Sequence, residues 1–465
     1  MKKAIIISIF GGACLLGGCS SSFLDQDPPL YVNPGDVFTD ADRIEDTLNG
    51  LYGSIKNTGN KSLLGGITYL VFDNRGDDLI NVSSNSVTLP YTYGMNVGTA
   101  DVENEDTWTY FYLAINKVNI FLEDLAEAKE VAGEKYAQYR QEALFVRAVC
   151  YYYLNNLYAK PFFVDPAAKS VPLRLTGERG VGNNNKKRET VAGIYSQILE
   201  DLSDISALPL GGNTYEKVTH ATQAAAEMLK MRVYMSIGEW DNAIAAGKAV
   251  KGYTLPDDVA AIYNAPYYTE ETIFSLPMAL TNVPNTQQSL AEFYAKSSMI
   301  MKIDAMNGVM SKANYSLEGD KRIGNFKGEG DILLKFTDTK TKLQWVPIFR
   351  YAETLLNLAE CYANKSGGEV SARELLKQVR RRSVAAGIDP LDIDHLSGND
   401  LKEAIFNEKR LEFIGEGVRG IDIIRRGEHF IKNNGVETID VGPDDRGYIW
   451  PVPQSELLLN GNINK

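Results

Sequence analysis

The segment from Tyr136 to Tyr158 constrains this chain more than any other: its spacing is helical, and from Ala143 to Leu154 it is apolar on most of its circumference. A helix with no broad polar face has to be buried by others. Those others are legible and come in pairs. Trp108 to Ala128 carries apolar residues at three- and four-residue spacing and leads into Tyr136. Val191–Leu208 and Ala221–Ile237 form the next pair, and Asp241–Lys251 follows after a short turn. Phe349–Ala363, Ser371–Ala386, Leu401–Phe413 and a shorter Gly417–Arg425 close the chain, with Ser371 and Glu374 spaced as a capping box.

Repeated helix pairs predict a tetratricopeptide-like stack. The best local match runs from Tyr234 to Ala243 and is closed by Pro256. Gly238 permits the tight turn there, Trp240 packs between helices and Ala243 allows close approach. The other pairs diverge in spacing, which predicts a partial repeat rather than a pure solenoid. Between Leu255 and Val346, prolines, asparagines, glycines and tyrosines interrupt short apolar runs such as Ile273–Leu276 and Ile332–Phe336. This texture predicts long loops with small strands, and Asn60–Glu105 shows it too. The expected fold is therefore mainly α: a tetratricopeptide-like helix-pair frame with loop-rich insertions and a few short strands. Loops on a rigid frame are where binding sites usually lie.

The N-terminus reads as an export signal. Lys2 and Lys3 precede an apolar run from Ala4 to Leu16, then Gly17-Gly18-Cys19. The run is short of the roughly 20 apolar residues that span a bilayer as a helix. Leu16-Gly17-Gly18-Cys19 resembles the lipobox of bacterial lipoproteins, which makes 1–18 the signal peptide and Cys19 the lipid anchor. Ordinary cleavage nearby, leaving a free thiol, is the alternative. Ser20 to Pro29 then reads as a polar tether. Loss of Lys2 and Lys3 takes the formal charge from −12 to −14. So acidic a body is a poor partner for nucleic acid or anionic lipid, which leaves covalent lipid as the membrane link. Cys14 departs with the signal, and Cys150 and Cys361 lie in apolar helical runs, expected as buried free thiols rather than a disulfide.

Enzyme signatures are sparse. His220, His395 and His429 are far apart and in no metal-ligand spacing. No serine stands in a nucleophile context. Gly324–Gly330 lacks the strand-to-helix setting of a phosphate loop. Neither metal, calcium included, nor cofactor is expected. A glycosidase needs two carboxylates alone, which a chain with 60 acids does not exclude.

Five separated segments resemble the RagB/SusD family of surface glycan-binding lipoproteins from Bacteroidetes. They are Phe23-Leu24-Asp25 to Pro28; Arg140–Ala148 running into Tyr151–Leu154; Arg350–Glu360; Asn407–Arg419 with Asp422 and Arg425-Arg426-Gly427; and Trp450–Glu456. Two departures bear on subfamily: Tyr158-Ala159-Lys160-Pro161 replaces a glycine-rich turn, and Asn460–Lys465 lacks a proline-containing close. Asp25 and Asp27 resemble the acidic tags of surface-exported lipoproteins. The resemblance implies a non-catalytic, lipid-anchored protein on the outer-membrane cell surface that captures an oligosaccharide or polysaccharide and delivers it to a SusC-like TonB-dependent barrel. Relatives resembling RagB imply a peptide ligand instead. A lipid-anchored glycoside hydrolase and a purely structural scaffold are further alternatives. The body, 19–465, divides into a tether and N-terminal segment (19–59), a loop plus helical repeats (60–254), a loop-rich insertion expected to carry the ligand face (255–346) and a C-terminal helical and closing segment (347–465).

Glu412 and Glu416, one helical turn apart, could be an acid–base or metal pair; arginines on both sides favour an ion-pair network with Arg410 and Arg419 that locks a helix hairpin. Sugar binding needs flat aromatic faces and polar groups that bridge hydroxyls. Tyr91 and Tyr93 lie in a Pro-Tyr-Thr-Tyr-Gly loop, beside which Arg75, Asp77 and Asp78 could bridge hydroxyls or simply close a salt-bridged turn. Tyr267 and Tyr268 follow Pro266 in the insertion, where Phe293, Tyr294 and Tyr315 also fall. Each of these aromatics also has a packing reading. Trp108, Trp240 and Trp450 are expected in the core, whereas Trp345 ends the insertion and is the tryptophan expected to stack on a ligand.

Overall fold

The structure, a computed structural model, describes residues 38–58, 61–83, 85–180, 182, 185–295, 301–433 and 437–465. The signal segment, Cys19 and the acidic tether lie outside them. The longer helices, in chain order, are α1 (Ala41–Lys56), α2 (Ile67–Arg75), α3 (Val102–Glu127), α4 (Tyr136–Tyr158), α5 (Val191–Asp201), α6 (Gln223–Ile237), α7 (Trp240–Ala249), α8 (Tyr351–Ala363), α9 (Glu369–Ser383), α10 (Gly398–Glu412) and α11 (Val418–Arg426). Helix α4 is buried from Gln141 to Tyr158 and packs against α1, α3 and α5. Helices α6 and α7 pair, α7 passes the stack to α8, and α8 packs on α9 and α10. The mainly helical frame of paired helices is as expected, but one pairing is not: α5 packs chiefly on α4 and not on α6. None of the described helices is long and apolar enough to cross a membrane.

Local chemistry sets many of the boundaries. Asp40 caps α1 by accepting from the backbone N–H of Asp42 and Arg43, Thr190 caps α5 through Gly193, and Thr222 caps α6 through Ala225. The α6–α7 turn closes on Gly238 at φ 78°, the left-handed conformation expected of it. Cys150 and Cys361 are free and buried.

Five two-stranded antiparallel ladders stand among the described residues. Thr272–Leu276 pairs with Val346–Arg350 and forms the stem of the insertion. Leu79–Asn81 pairs with Met301–Ile303, tying the N-terminal loop-rich stretch to the insertion.

Several expectations need correction. The Asn60–Glu105 stretch is not mainly loop, because it contains α2, buried from Thr68 to Arg75. Helix α11 packs on α2 so closely that a Cβ at Gly420 would lie 2.4 Å from the Phe72 carbonyl oxygen. Ile332–Phe336 forms no strand; Leu333 makes one isolated bridge to Lys327. No capping box forms at Ser371, since α9 begins two residues earlier, after Gly367 and Gly368. One forms instead at Ser289 and Glu292, at the start of the short helix Leu290–Tyr294. Val191–Leu208 is helical to Asp201 and ends in a 3-10 turn.

The interior holds ionic groups as well as apolar ones. Glu412 accepts from Arg350 at 2.6 Å, from Arg382, and from Arg322 at 3.3 Å. Glu416 accepts from Lys335 at 2.6 Å and from Arg350 at 2.8 and 2.9 Å. The expected network therefore exists with different partners: Arg410 pairs instead with Asp78, and Arg419 with Asp77. Burial alone would raise the Glu412 carboxyl, but Arg382, Arg350 and Arg322 hold it well below the usual carboxylate range. An ionised pair so fully neutralised is poorly suited to proton transfer.

Candidate functional site

The first turn of α3 is pinned on one side and open on the other. Asp101 accepts from the Gly98 N–H at 2.6 Å, and Asn104 donates to the carbonyls of Gly98 and Pro451, both at 3.0 Å. Glu105 receives the Ser455 N–H at 2.9 Å, and the Tyr158 hydroxyl donates to Asn104 at 2.9 Å. Residues 103, 106, 107 and 110, spaced by three and four, form another stripe of the helix. That stripe, of Glu103, Asp106, Thr107 and Tyr110, lines a cleft of about 300 Å3 with Ser86, Val87, Leu89 and Tyr91. Ser62, Leu63, Ile67 and Gln288 line it as well, so both loop-rich stretches contribute.

Tyr91 is half exposed at 50%. It follows Leu89, which is buried and held at φ 58°, and Pro90, which opens a single helical turn. A non-glycine residue in the left-handed region costs roughly 1–2 kcal/mol, so the surrounding packing must hold the turn that carries the Tyr91 ring. Glu103 is the unusual group. Its Oε1 is buried with no hydrogen-bond partner among the described residues. Burial raises its carboxyl above the ordinary value, and the charges of Asp101 and Asp106 push the same way.

The other expected site residues separate into two sets. One belongs to the core. Arg75 is 1% exposed, with its guanidinium 4.7 Å over the Phe430 ring and a hydrogen bond to the Tyr448 carbonyl. Asp77 is bound by Arg419 at 2.5 and 2.9 Å, and although burial opposes it, Arg419 and Arg410 lower its carboxyl to about 2. Tyr93 is buried under Lys432, and buried Tyr294 donates to Asp73 at 2.5 Å. Phe293 and Tyr315 are buried too. Arg75 and Asp77 therefore hold the frame behind the Tyr91 turn instead of bridging hydroxyls beside it.

The second set is an aromatic cluster. Trp345 stacks on Tyr268 with ring centroids 5.4 Å apart, lies 6.5 Å from Tyr267 and meets Tyr215 edge-on at 5.6 Å. Tyr267 sits at φ 67°. Trp345 itself is 8% exposed, whereas Tyr215 is 49% exposed. Any ligand reaching this cluster would meet the tyrosines first.

Sequence reasoning missed Glu103, Asp106 and Tyr110. The sequence places Glu103 in the loop-rich stretch and starts the helix at Trp108, whereas α3 begins at Val102, so these acids were not expected on a helix face. Their three- and four-residue spacing with Tyr110 was the signal available.

Comparison with known proteins places this geometry in context. The sequence profile of the SusD family matches residues 316–465, and that described as starch-binding associating with outer membrane matches 22–235. A SusD-like protein, P25, from Formosa agariphila is 23% identical, over 98% of this chain and 96% of its own. A SusD superfamily protein from Bacteroides thetaiotaomicron superposes with a TM-score of 0.78 at 20% identity, covering 92% of this chain and 99% of its own. A surface glycan-binding protein A from Bacteroides fluxus does so with a TM-score of 0.69 at 22% identity, covering 90% and 97%. These two likenesses speak for the fold. A SusD superfamily protein from Bacteroides fragilis is 69% identical and superposes with a TM-score of 0.91, over 92% of this chain and 100% of that one. Identity at that level along the whole of a solved relative, joined to the two profile matches, means that this chain belongs to the SusD/RagB family.

Proposed function

We propose that this protein is a surface lipoprotein that binds a glycan in the cleft between α3 and the Tyr91 turn and passes it to a TonB-dependent outer-membrane transporter. Lipid on Cys19 would hold it at the outer membrane, and no catalytic step is required of it. The observation that carries the reading is the cleft: the half-exposed Tyr91 faces a helix stripe in which one buried Glu103 oxygen has no donor among the described residues. A sugar supplies what each side needs, since its C–H face stacks on aromatic rings and its hydroxyls donate to carboxylates. The family description as starch-binding at the outer membrane, and the glycan-binding relative from Bacteroides fluxus, support the same class of ligand.

A second reading has one observation in its favour. Glu103, held protonated more readily than an ordinary carboxyl and close to Asp101 and Asp106, has the makings of a glycosidase acid. One experiment separates the readings. Residues 20–465 are screened against polysaccharides, host glycans and peptides while reducing ends are monitored. Saturable glycan binding without new reducing ends supports uptake, and release of reducing ends supports hydrolysis. Binding of peptides alone would move the chain to the RagB-like branch.

A further inference from the structure

Among the described residues that line the cleft, the charge is one-sided: there is no lysine, arginine or histidine, while Asp101, Glu103 and Asp106 all line it. This is a local choice, for the chain has 48 lysines and arginines and sets Lys402, Arg425 and Arg426 around another cavity of about 300 Å3 beside Trp240. Resting on the glycan-binding reading above, we propose that the cleft selects saccharides without negative charge, neutral or amine-bearing, and turns away sulfated sugars and uronates.

Hydrogen-bond chemistry and charge point the same way. The Glu103 oxygen has no donor among the described residues, and a ligand hydroxyl or ammonium provides one. A sulfate or carboxylate offers acceptors alone. It would leave that oxygen unsatisfied and bring a like charge near it in a partly dehydrated space, where repulsion is stronger than in water. The net charge, −12 for the full sequence and −14 without 1–18, also repels anions, but over longer range. Salt separates the two effects, because the screening length falls to about 3 Å at 1 M.

The test uses the mature chain on an array of maltohexaose, cellohexaose and galactohexaose, each beside its sulfated form, with chitohexaose beside its deacetylated form. Affinities for the bound pairs are then measured by calorimetry. The uncharged or amine-bearing member should bind at least about tenfold more tightly than its sulfated partner, and most of that gap should persist at 1 M salt. Glu103→Gln should narrow the gap severalfold, and Asp106→Asn, a separate variant in case the first folds poorly, should move it in the same direction. Preference for the sulfated member, or a gap that vanishes in salt and ignores both variants, overturns the selectivity. Peptide binding with silence across every saccharide overturns the glycan reading and this inference with it.

Discussion

At the scale of single residues, the same side-chain type does opposite work in different surroundings. Glu412 and Glu416 are buried and saturated with cations, whereas one Glu103 oxygen has no donor among the described residues. Glu412→Gln would take one carboxylate from Arg350, Arg382 and Arg322, which keep Glu416, Glu271 and Glu408 respectively, and removing that buried charge should cost about 3 kcal/mol in urea unfolding. Intact stability would mean the network is not what the geometry implies. Asp73 behaves differently again. Burial pushes its carboxyl from an ordinary 3.8 up to about 7, against hydrogen bonds from Tyr294 and Gly417. The folded chain therefore keeps a proton that the unfolded chain releases, so this group's stabilisation is full below about pH 4 and lost as pH rises to about 7. Asp73→Asn should gain on the parent by a few kcal/mol between about pH 4 and about pH 8, read from urea midpoints at both ends. A gap that does not change with pH would mean that Asp73 is ionised throughout. For ligand binding, Tyr91→Ala should weaken glycan affinity by about tenfold, because Tyr91 is half exposed where it lines the cleft. Trp345→Ala should instead cost about 3 kcal/mol of stability, because Tyr268 and Tyr215 already pack on that indole. Residue type alone could not rank Tyr91 above Trp345, since burial decides it and burial is a tertiary property.

At the scale of elements, the chain was most legible where periodicity was long. Tyr136–Tyr158 falls on α4 from end to end because twenty-odd residues average out local exceptions. Helix α2 was unreadable for the converse reason. It spans nine residues, lies between Gly65-Gly66 and Gly76, and is buried on nearly every side, so no amphipathic pattern could show. Ser371 misled because its spacing to Glu374 is right for a cap, while Gly367 at φ 76° turns the chain early enough to start α9 before it. The turn at Gly238 was legible, and its neighbourhood makes it testable. A Cβ there would lie 2.8 Å from the Phe163 ring, in addition to the strain of a positive φ. Gly238→Ala should therefore cost roughly 1–2 kcal/mol, measured by urea unfolding, and Phe163→Ala in the same chain should recover part of it. If the pair of substitutions is additive, the contact with Phe163 is not the cause.

At the scale of the whole molecule, the helical frame and the cleft have different origins in the sequence. The frame is written in local patterns, and matches to the family at both ends of the chain follow it. The cleft is assembled from segments far apart in the chain: Ser62 to Tyr91, the start of α3 and Gln288. Among the contacts that bring the two loop-rich stretches together is the pairing of Leu79–Asn81 with Met301–Ile303, which no pattern in either segment announces. That is why the class of protein could be read from the chain while Glu103 could not. The membrane link we propose is argued from charge. With 1–18 lost as expected, the chain would stand at −14, a poor match for an anionic bilayer, so attachment through lipid on Cys19 would resist salt. The full-length protein should remain with the membrane fraction in about 1 M salt, where the screening length is near 3 Å, and leave it in detergent. Cys19→Ala, with the signal otherwise intact, should lose that attachment while the purified body keeps its glycan affinity. Release of the parent by salt alone would show that a surface contact, not lipid, holds it there.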